Sequence, residues 1–112
     1  MSRRVDVAGL DEVAPGTMKM VQVDATSVLL VNLGGRVRAM QGICSHEYFE
    51  LDMGFLTGDS LTCALHLSRF DLDTGEALDP PAELPLALYP VQITDTGSIV
   101  LELPEGPIPV NE

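Results

Sequence analysis

Two short motifs contain every cysteine and every histidine of this chain. The first runs from Cys44 to His46 and the second from Cys63 to His66, with sixteen residues between them. Thiolates and neutral imidazoles are common protein ligands of zinc and iron. Each motif supplies one of each, so two loops that face each other would present two thiolates and two imidazoles to one metal centre. The sequence therefore predicts a metal site built from Cys44, His46, Cys63 and His66.

The pattern Cys-x-His followed by Cys-x-x-His at this separation resembles the Rieske ferredoxin family. The likeness continues beyond the ligands and is motif-specific from Cys44 to Pro81. It includes a Phe-Asp-x-x-Thr-Gly-like run, a proline-containing loop and a glycine-marked turn between the two motifs: Phe70-Asp71 with Asp73-Thr74-Gly75-Glu76, Leu78-Asp79-Pro80-Pro81, and Gly54 with Gly58-Asp59.

The resemblance implies one [2Fe–2S] cluster of the Rieske type in each chain. Cys44 and Cys63 would bind the inner iron, while His46 and His66 would bind the outer iron. Two ferric ions, two sulfides and two thiolates sum to a neutral oxidised centre, which accepts an electron more readily than an all-cysteine cluster does. No histidine remains for the mononuclear iron of a Rieske oxygenase, so an electron carrier without catalytic turnover is expected.

The identity of the redox partner is suggested by a departure from the commonest family pattern. Leu67 follows the second histidine where glycine is usual, and the third loop is long and proline-containing. These features resemble the ferredoxins of soluble di-iron monooxygenases of the toluene and alkene type. The resemblance implies transfer from an NADH-dependent flavin reductase to the hydroxylase of a hydrocarbon-oxidising system, with a role in aromatic hydrocarbon catabolism. The alternative is the ferredoxin of an aromatic-ring-hydroxylating dioxygenase.

A zinc-stabilised binding module without a redox role is the alternative from another class, because two cysteines and two histidines also bind zinc. Zinc fingers, however, use a Cys–Cys pair and a His–His pair, whereas here both pairs are mixed. Mixed pairs fit a two-iron centre better.

The residues after the second histidine predict a low reduction potential. Hydrogen bonds to the cluster sulfurs raise the potential of such centres. Respiratory Rieske proteins supply a serine two residues after this histidine and a tyrosine four residues after it. This chain has Ser68 at the first position but Phe70 at the second, so the tyrosine hydroxyl is missing.

A formal net charge of −11 over 112 residues disfavours nucleic acid and anionic membranes as partners. Between Gln41 and Pro90 there are nine acidic residues and one basic residue, Arg69. They form either a solubilising surface or a negative collar that steers docking to a basic partner. Four apolar residues near the motifs either add a docking patch or fill a local core: Tyr48, Phe49, Leu67 and Pro81. A signal peptide and a membrane span are not expected, so a cytoplasmic monomer is predicted.

The fold expected is all-β: one Rieske-like antiparallel β-sandwich domain over residues 1–112, with an inserted cluster-binding subdomain at about 41–85 and a tail at about 104–112. The continuous apolar run Val28–Val31 predicts a central buried strand. Glycine and proline positions place turns between short strands. Strands are expected at Arg4–Val7, Met18–Val23, Ser27–Leu33, Val37–Met40, Leu61–Cys63, Arg69–Leu72, Ala87–Thr94 and Ile99–Leu103.

Overall fold

The structure is a computed structural model, and it describes residues 2–23, 26–43, 50–63, 68–78 and 86–104. The described residues form ten strands and two short 3-10 helices. In chain order these are β1 Ser2–Gly9, a 3-10 helix Leu10–Glu12, β2 Thr17–Val23, β3 Thr26–Leu33, β4 Arg36–Gln41, a second 3-10 helix Leu51–Met53, β5 Phe55–Thr57, β6 Ser60–Thr62, β7 Arg69–Asp71, β8 Leu88–Tyr89, β9 Val91–Ile93 and β10 Ser98–Pro104. None of the helices in the described ranges is long and apolar enough to cross a membrane.

The strands form three antiparallel sheets, which confirms the all-β prediction. The first sheet has the order β1-β10-β9, the second β2-β3-β4-β8, and the third β5-β6-β7. The third sheet lies in sequence between β4 and β8, which pair with each other in the second sheet. It is therefore an insertion between neighbouring strands, as expected for the cluster-binding subdomain.

Strand β3 is the centre of the molecule because both of its faces are buried. Val28 and Leu30 belong to a core shared with β1 and β10, where Leu101 and Leu103 are also buried. Leu29 and Val31 belong to a second core that includes residues of the inserted sheet. Alternate side chains of a strand point to opposite faces, so a strand buried on both faces needs an uninterrupted apolar run. The prediction of a central buried strand is confirmed.

The strand expected at Ala87–Thr94 is wrong as a single element, because Pro90 divides it. Before Pro90, β8 pairs with β4; after it, β9 pairs with β10 in another sheet. Proline has no N–H to donate to a ladder, so it suits a point where the chain leaves one sheet for the next. The carbonyl of Pro90 still accepts a hydrogen bond of 3.0 Å from the Glu102 amide.

The inserted sheet contains a strand that the sequence pattern did not indicate. Residues around Gly54 and Gly58 were expected to form only a turn, but β5 lies between them and pairs with β6 in a hairpin. Three residues are too few for their apolar alternation to be distinguished from a loop. The strand expected at Leu61–Cys63 is β6, which ends at Thr62, so that Cys63 comes directly after it.

Tyr89 gives a testable consequence of the packing between the first two sheets. Its side chain is buried, and within the described residues its hydroxyl has no hydrogen-bond partner. Burial raises the pKa of the Tyr89 phenol, because desolvation penalises the phenolate. The folded protein therefore favours the neutral phenol. The free energy of unfolding should fall as the pH rises above about 10, the pKa of a tyrosine in the unfolded chain.

We expect Tyr89→Phe to raise the free energy of unfolding by about 1 kcal/mol near neutral pH, since it removes a buried polar atom without a partner. The advantage should grow above about pH 10, where the unfolded wild-type tyrosine ionises. Urea unfolding at neutral and alkaline pH measures both effects. A loss of stability in the variant would show that the hydroxyl makes a favourable interaction.

Candidate functional site

Of the four predicted ligands, only Cys63 lies within the described residues. Cys44, His46 and His66 lie outside them, so their predicted roles remain predictions. The Cys63 residue is 1% exposed and belongs to the core between β3 and the inserted sheet. Its backbone amide donates a 2.9 Å hydrogen bond to the carbonyl of Ser68. The position of this ligand is thus fixed by the strand before it and the core around it.

The second ligand segment (residues 64–67) is flanked by paired residues of β6 and β7. Thr62 pairs with Arg69, and the Cys63–Ser68 hydrogen bond lies next to this pair. Ser68 is buried, with 1% of its surface exposed. Strands β6 and β7 are therefore held in register up to the predicted ligand Cys63, on both sides of the segment that contains His66.

The first ligand segment (residues 44–49) has a similar base. Ile43 and Glu50 form an isolated antiparallel bridge, and the Leu51 amide donates to the Gly42 carbonyl at 2.8 Å. The Gly42 amide donates in turn to the Ser27 carbonyl at 2.9 Å. The residues on both sides of the predicted Cys44 and His46 ligands are thereby attached to the central sheet.

The proline segment (residues 79–85) begins and ends beside the same inserted sheet. The Leu78 amide donates to the carbonyl of Arg69 at 2.8 Å, next to the second ligand segment. At the other end, the Leu86 amide donates to the carbonyl of Gly75 at 2.7 Å. The second ligand segment and the proline segment therefore start at the same end of the sheet.

The Asp-x-x-Thr-Gly run folds as a tight turn that receives the end of the proline segment. The Asp71 carboxylate accepts hydrogen bonds from the backbone amides of Asp73 and Thr74, at 2.7 and 3.0 Å. Gly75 has a φ of 78°, and a β-carbon there would lie 2.3 Å from the Leu86 carbonyl oxygen. Glycine is required both for the backbone conformation and for this close approach. Asp71 is therefore a turn residue.

Asp73 has a role that the sequence did not indicate. Its carboxylate accepts hydrogen bonds from Nη2 and Nε of Arg38, at 2.7 and 3.0 Å, and lies 3.6 Å from a guanidinium nitrogen of Arg36. Both arginines are on β4 of the central sheet. The ion pair therefore joins the turn after the second ligand segment to the central sheet. No short-range pattern could have found it, because 35 residues separate Arg38 from Asp73.

Phe70 occupies the position where respiratory Rieske proteins have a tyrosine, and it is fully buried. It packs in the core with Leu29, Val31 and Cys63. Phe70 is therefore a core residue. Tyr48, Phe49, Leu67 and Pro81, the apolar residues considered for a docking patch, lie outside the described residues.

The surface of the inserted sheet combines acidic and apolar side chains. Five of the acidic residues predicted around the site are exposed: Glu50, Asp52, Asp59, Asp73 and Glu76. The large apolar side chains of Met53, Phe55 and Leu78 are 66%, 49% and 43% exposed. Glu47, Asp79 and Glu83 lie outside the described residues.

The described part of the site fits an iron–sulfur centre. Cys63 is 1% exposed and lies among apolar side chains. This environment is shielded from water and therefore suits a ligand of an inner iron. The described ranges contain no group of three or more histidine, cysteine or acidic side chains that could hold a metal by themselves.

Comparisons with known proteins give the family. A model described as the Rieske [2Fe-2S] domain matches residues 3–90. The biphenyl dioxygenase ferredoxin subunit of Pseudomonas sp. (strain KKS102) is 39% identical over 92 residues, which cover 81% of this chain and 84% of that one. The ferredoxin of carbazole 1,9a-dioxygenase from Nocardioides aromaticivorans IC177 is 36% identical, with a TM-score of 0.81 over 93% of this chain and 100% of that one. A chain in the complex of reduced oxygenase and oxidized ferredoxin in carbazole 1,9a-dioxygenase is 26% identical, with a TM-score of 0.80 over 88% of this chain and 91% of that one.

These relatives do not support the resemblance to di-iron monooxygenase ferredoxins, because they are named as ferredoxins of aromatic dioxygenase systems. That expectation depended mainly on Leu67, one residue beside a ligand. Such a residue responds to packing around the site and carries little information about the partner. The family match also favours iron and sulfide over zinc. The chain therefore belongs to the Rieske [2Fe–2S] family as a ferredoxin, an electron carrier whose cofactor is a Rieske-type cluster.

Proposed function

We propose that this ferredoxin carries single electrons from an NADH-dependent flavin reductase to the terminal oxygenase of an aromatic-ring-hydroxylating dioxygenase system. The observation that carries the proposal is the 39% identity, over four-fifths of the chain, to a biphenyl dioxygenase ferredoxin subunit. The likeness to a chain in a complex of oxygenase and ferredoxin supports direct contact with the oxygenase. The ferredoxin is proposed to act as a monomer in the cytoplasm, where NADH is the reductant.

The ligand set of the proposal is Cys44 and Cys63 on the inner iron, with His46 and His66 on the outer iron. When bound, the cluster would accept and release one electron, and the oxidised centre would be formally neutral. The protein's own contribution is a fixed frame. Cys63 is buried, and the residues that flank both ligand segments are hydrogen-bonded to strands. A frame of this kind supports electron transfer, because little protein rearrangement accompanies the change of charge.

The exposed acidic residues around the inserted sheet support a docking surface for partners with a basic rim. The apolar side chains of Met53, Phe55 and Leu78 would supply the desolvated contact inside that rim. Long-range attraction between opposite charges raises the association rate and is screened by salt.

We expect the second-order rate of electron transfer to the oxygenase to fall about tenfold between low and high ionic strength. Stopped-flow mixing of reduced ferredoxin with oxidised oxygenase over a salt series measures this rate. A rate that does not change with ionic strength would remove the electrostatic part of the proposal while leaving the electron-transfer role intact.

A low reduction potential is expected within the range of roughly −150 to +300 mV known for Rieske centres. The phenylalanine at position 70 has no hydroxyl to donate to a cluster sulfur, and it is buried in the core. Ser68 is the remaining side-chain donor of the pair found in respiratory proteins. A redox titration followed by visible circular dichroism gives the midpoint. A value above about +150 mV would contradict this prediction.

The proposed partner is tested by single-turnover assays with the reduced holoprotein. One sample contains the oxidised terminal oxygenase of an aromatic dioxygenase, and the other contains the hydroxylase of a toluene-type di-iron monooxygenase. Both samples contain an aromatic hydrocarbon, dioxygen and at least two equivalents of reduced ferredoxin, because a cis-dihydrodiol forms from arene, O2, two protons and two electrons and each ferredoxin carries one electron. We expect reoxidation of the ferredoxin and formation of a cis-dihydrodiol in the first sample only. Turnover in the di-iron sample alone would overturn the dioxygenase proposal and restore the monooxygenase alternative.

A further inference from the structure

Gln41 lies where the inserted segment leaves the central sheet and where it returns. It is the last residue of β4, three positions before Cys44, and it is 5% exposed. Its neighbour across the sheet is the start of the β8 connection, since the Gln41 amide donates to the Ala87 carbonyl at 2.8 Å. Ala87 follows the proline segment by two residues. One residue is therefore adjacent to the base of the first ligand segment and to the base of the proline segment.

Both ends of the Gln41 side-chain amide are used. Nε2 donates to the carbonyl of Ile43 at 2.8 Å, and Oε1 accepts from the amide of Ala87 at 2.7 Å. Ile43 is the residue directly before the predicted ligand Cys44. The side chain thus connects the backbone at the beginning of one segment to the backbone at the end of the other.

These two contacts require a particular chemistry. The Ile43 carbonyl needs a donor and the Ala87 amide needs an acceptor, and a neutral carboxamide offers both on one side chain. A buried backbone group that loses its partner costs more than the bond itself was worth in net terms. Replacing the amide by an apolar group of similar length would leave two backbone groups to find new partners.

We propose that Gln41 is a positioning residue of the redox site: it joins the backbone just before the first ligand segment, at Ile43, to the backbone just after the proline segment, at Ala87, and thereby orients the predicted ligands of the first segment. The inference rests on the proposed function, since it presupposes the cluster. Gln41 lies outside the cysteine and histidine motifs. Its proposed effect on the cluster is separate from its effect on folding.

The experiment compares Gln41→Met and Gln41→Glu with the wild-type holoprotein. Three quantities are measured: the rate of iron release to a chelator, the g values of the dithionite-reduced protein by electron paramagnetic resonance, and the Tm. Gln41→Met removes both side-chain hydrogen bonds, so we expect iron release about tenfold faster and shifted g values. Gln41→Glu keeps an acceptor for the Ala87 amide but, as a carboxylate, cannot donate to Ile43 and adds a buried charge, so faster iron release and a lower Tm are expected here too.

Asn32→Leu is the matched control. Asn32 is also a buried amide, 3% exposed, and its Nδ2 donates at 2.8 Å to the carbonyl of Val13, far from the ligand segments in sequence. This variant should lower the Tm without changing iron release or g values. If Gln41→Met does the same, its role is only structural and the inference is overturned.

The outcomes separate the inference from the function on which it rests. If the wild-type protein shows no histidine-ligated cluster signal, the proposed function fails. If Gln41→Met does not fold, Gln41→Glu decides: iron release faster than that of Asn32→Leu, compared at equal intervals below the Tm of each variant, supports the positioning role, and iron release no faster than that of Asn32→Leu overturns it.

Discussion

Replacing Phe70 by alanine is expected to lower the free energy of unfolding by about 3–5 kcal/mol, because a large, fully buried aromatic side chain is lost and a cavity remains. Phe70 is 0% exposed and lies in the same core as Cys63. A domain of this size is stable by only about 5–15 kcal/mol in total. The variant should therefore unfold at a much lower urea concentration and lose its visible absorption in the same transition.

Phe55→Ala is the control for the loss of an aromatic residue as such. Phe55 is on β5, the other edge strand of the same three-stranded sheet, but it is 49% exposed. Its replacement should change the free energy of unfolding by about 1 kcal/mol or less. Urea titrations followed by far-UV circular dichroism and by cluster absorption compare the two variants. If Phe70→Ala lowered the free energy of unfolding as little as Phe55→Ala does, the core between β3 and the inserted sheet would contribute little to stability.

Replacing Gly75 by alanine should destabilise the protein by about 2–5 kcal/mol and accelerate loss of the cluster. Two costs add here. The positive φ of 78° is unfavourable for alanine, by about 1–2 kcal/mol. In addition, the new β-carbon would lie 2.3 Å from the Leu86 carbonyl oxygen, which must move. Since Leu86 directly follows the proline segment, we expect the displacement to reach that segment.

Gly97→Ala separates these two costs. Gly97 has a φ of 84°, close to that of Gly75, but a β-carbon there would have no atom within 4 Å. The control should therefore show only the conformational cost of about 1–2 kcal/mol and an unchanged rate of iron release. The difference between the two variants, measured by urea unfolding and by chelator assay, reports the contact with Leu86. Equal behaviour of both variants would show that this contact is unimportant.

The features that sequence reasoning found are those with a local signature. The run Val28–Val31 signals a strand buried on both faces, and the run after the second ligand pair signals the turn ending at Gly75. What it missed depends on residues far apart in the chain. The Arg38–Asp73 ion pair joins elements that only the fold brings together. The sheet change at Pro90 required knowing that β9 pairs with β10.

The candidate site was predicted to a similar extent. The cysteines and histidines stand out because the chain has no others, and their spacing predicts a ligand set of which only Cys63 lies among the described residues. The hydrogen bonds that attach the ligand segments to the sheets were not predictable, since they are mostly made by backbone groups, which every residue has. The side chain of Gln41 gave no signal either, because glutamine at a strand end is ordinarily a surface residue.

Because β3 is buried on both faces, its alternate residues belong to two different cores. Substitutions at Leu29 and Val31 alter the core that surrounds Cys63, whereas substitutions at Val28 and Leu30 alter the core shared with the two ends of the described chain. Substitutions on one face of β3 are therefore expected to change the packing around Cys63 while the packing against β1 and β10 is kept.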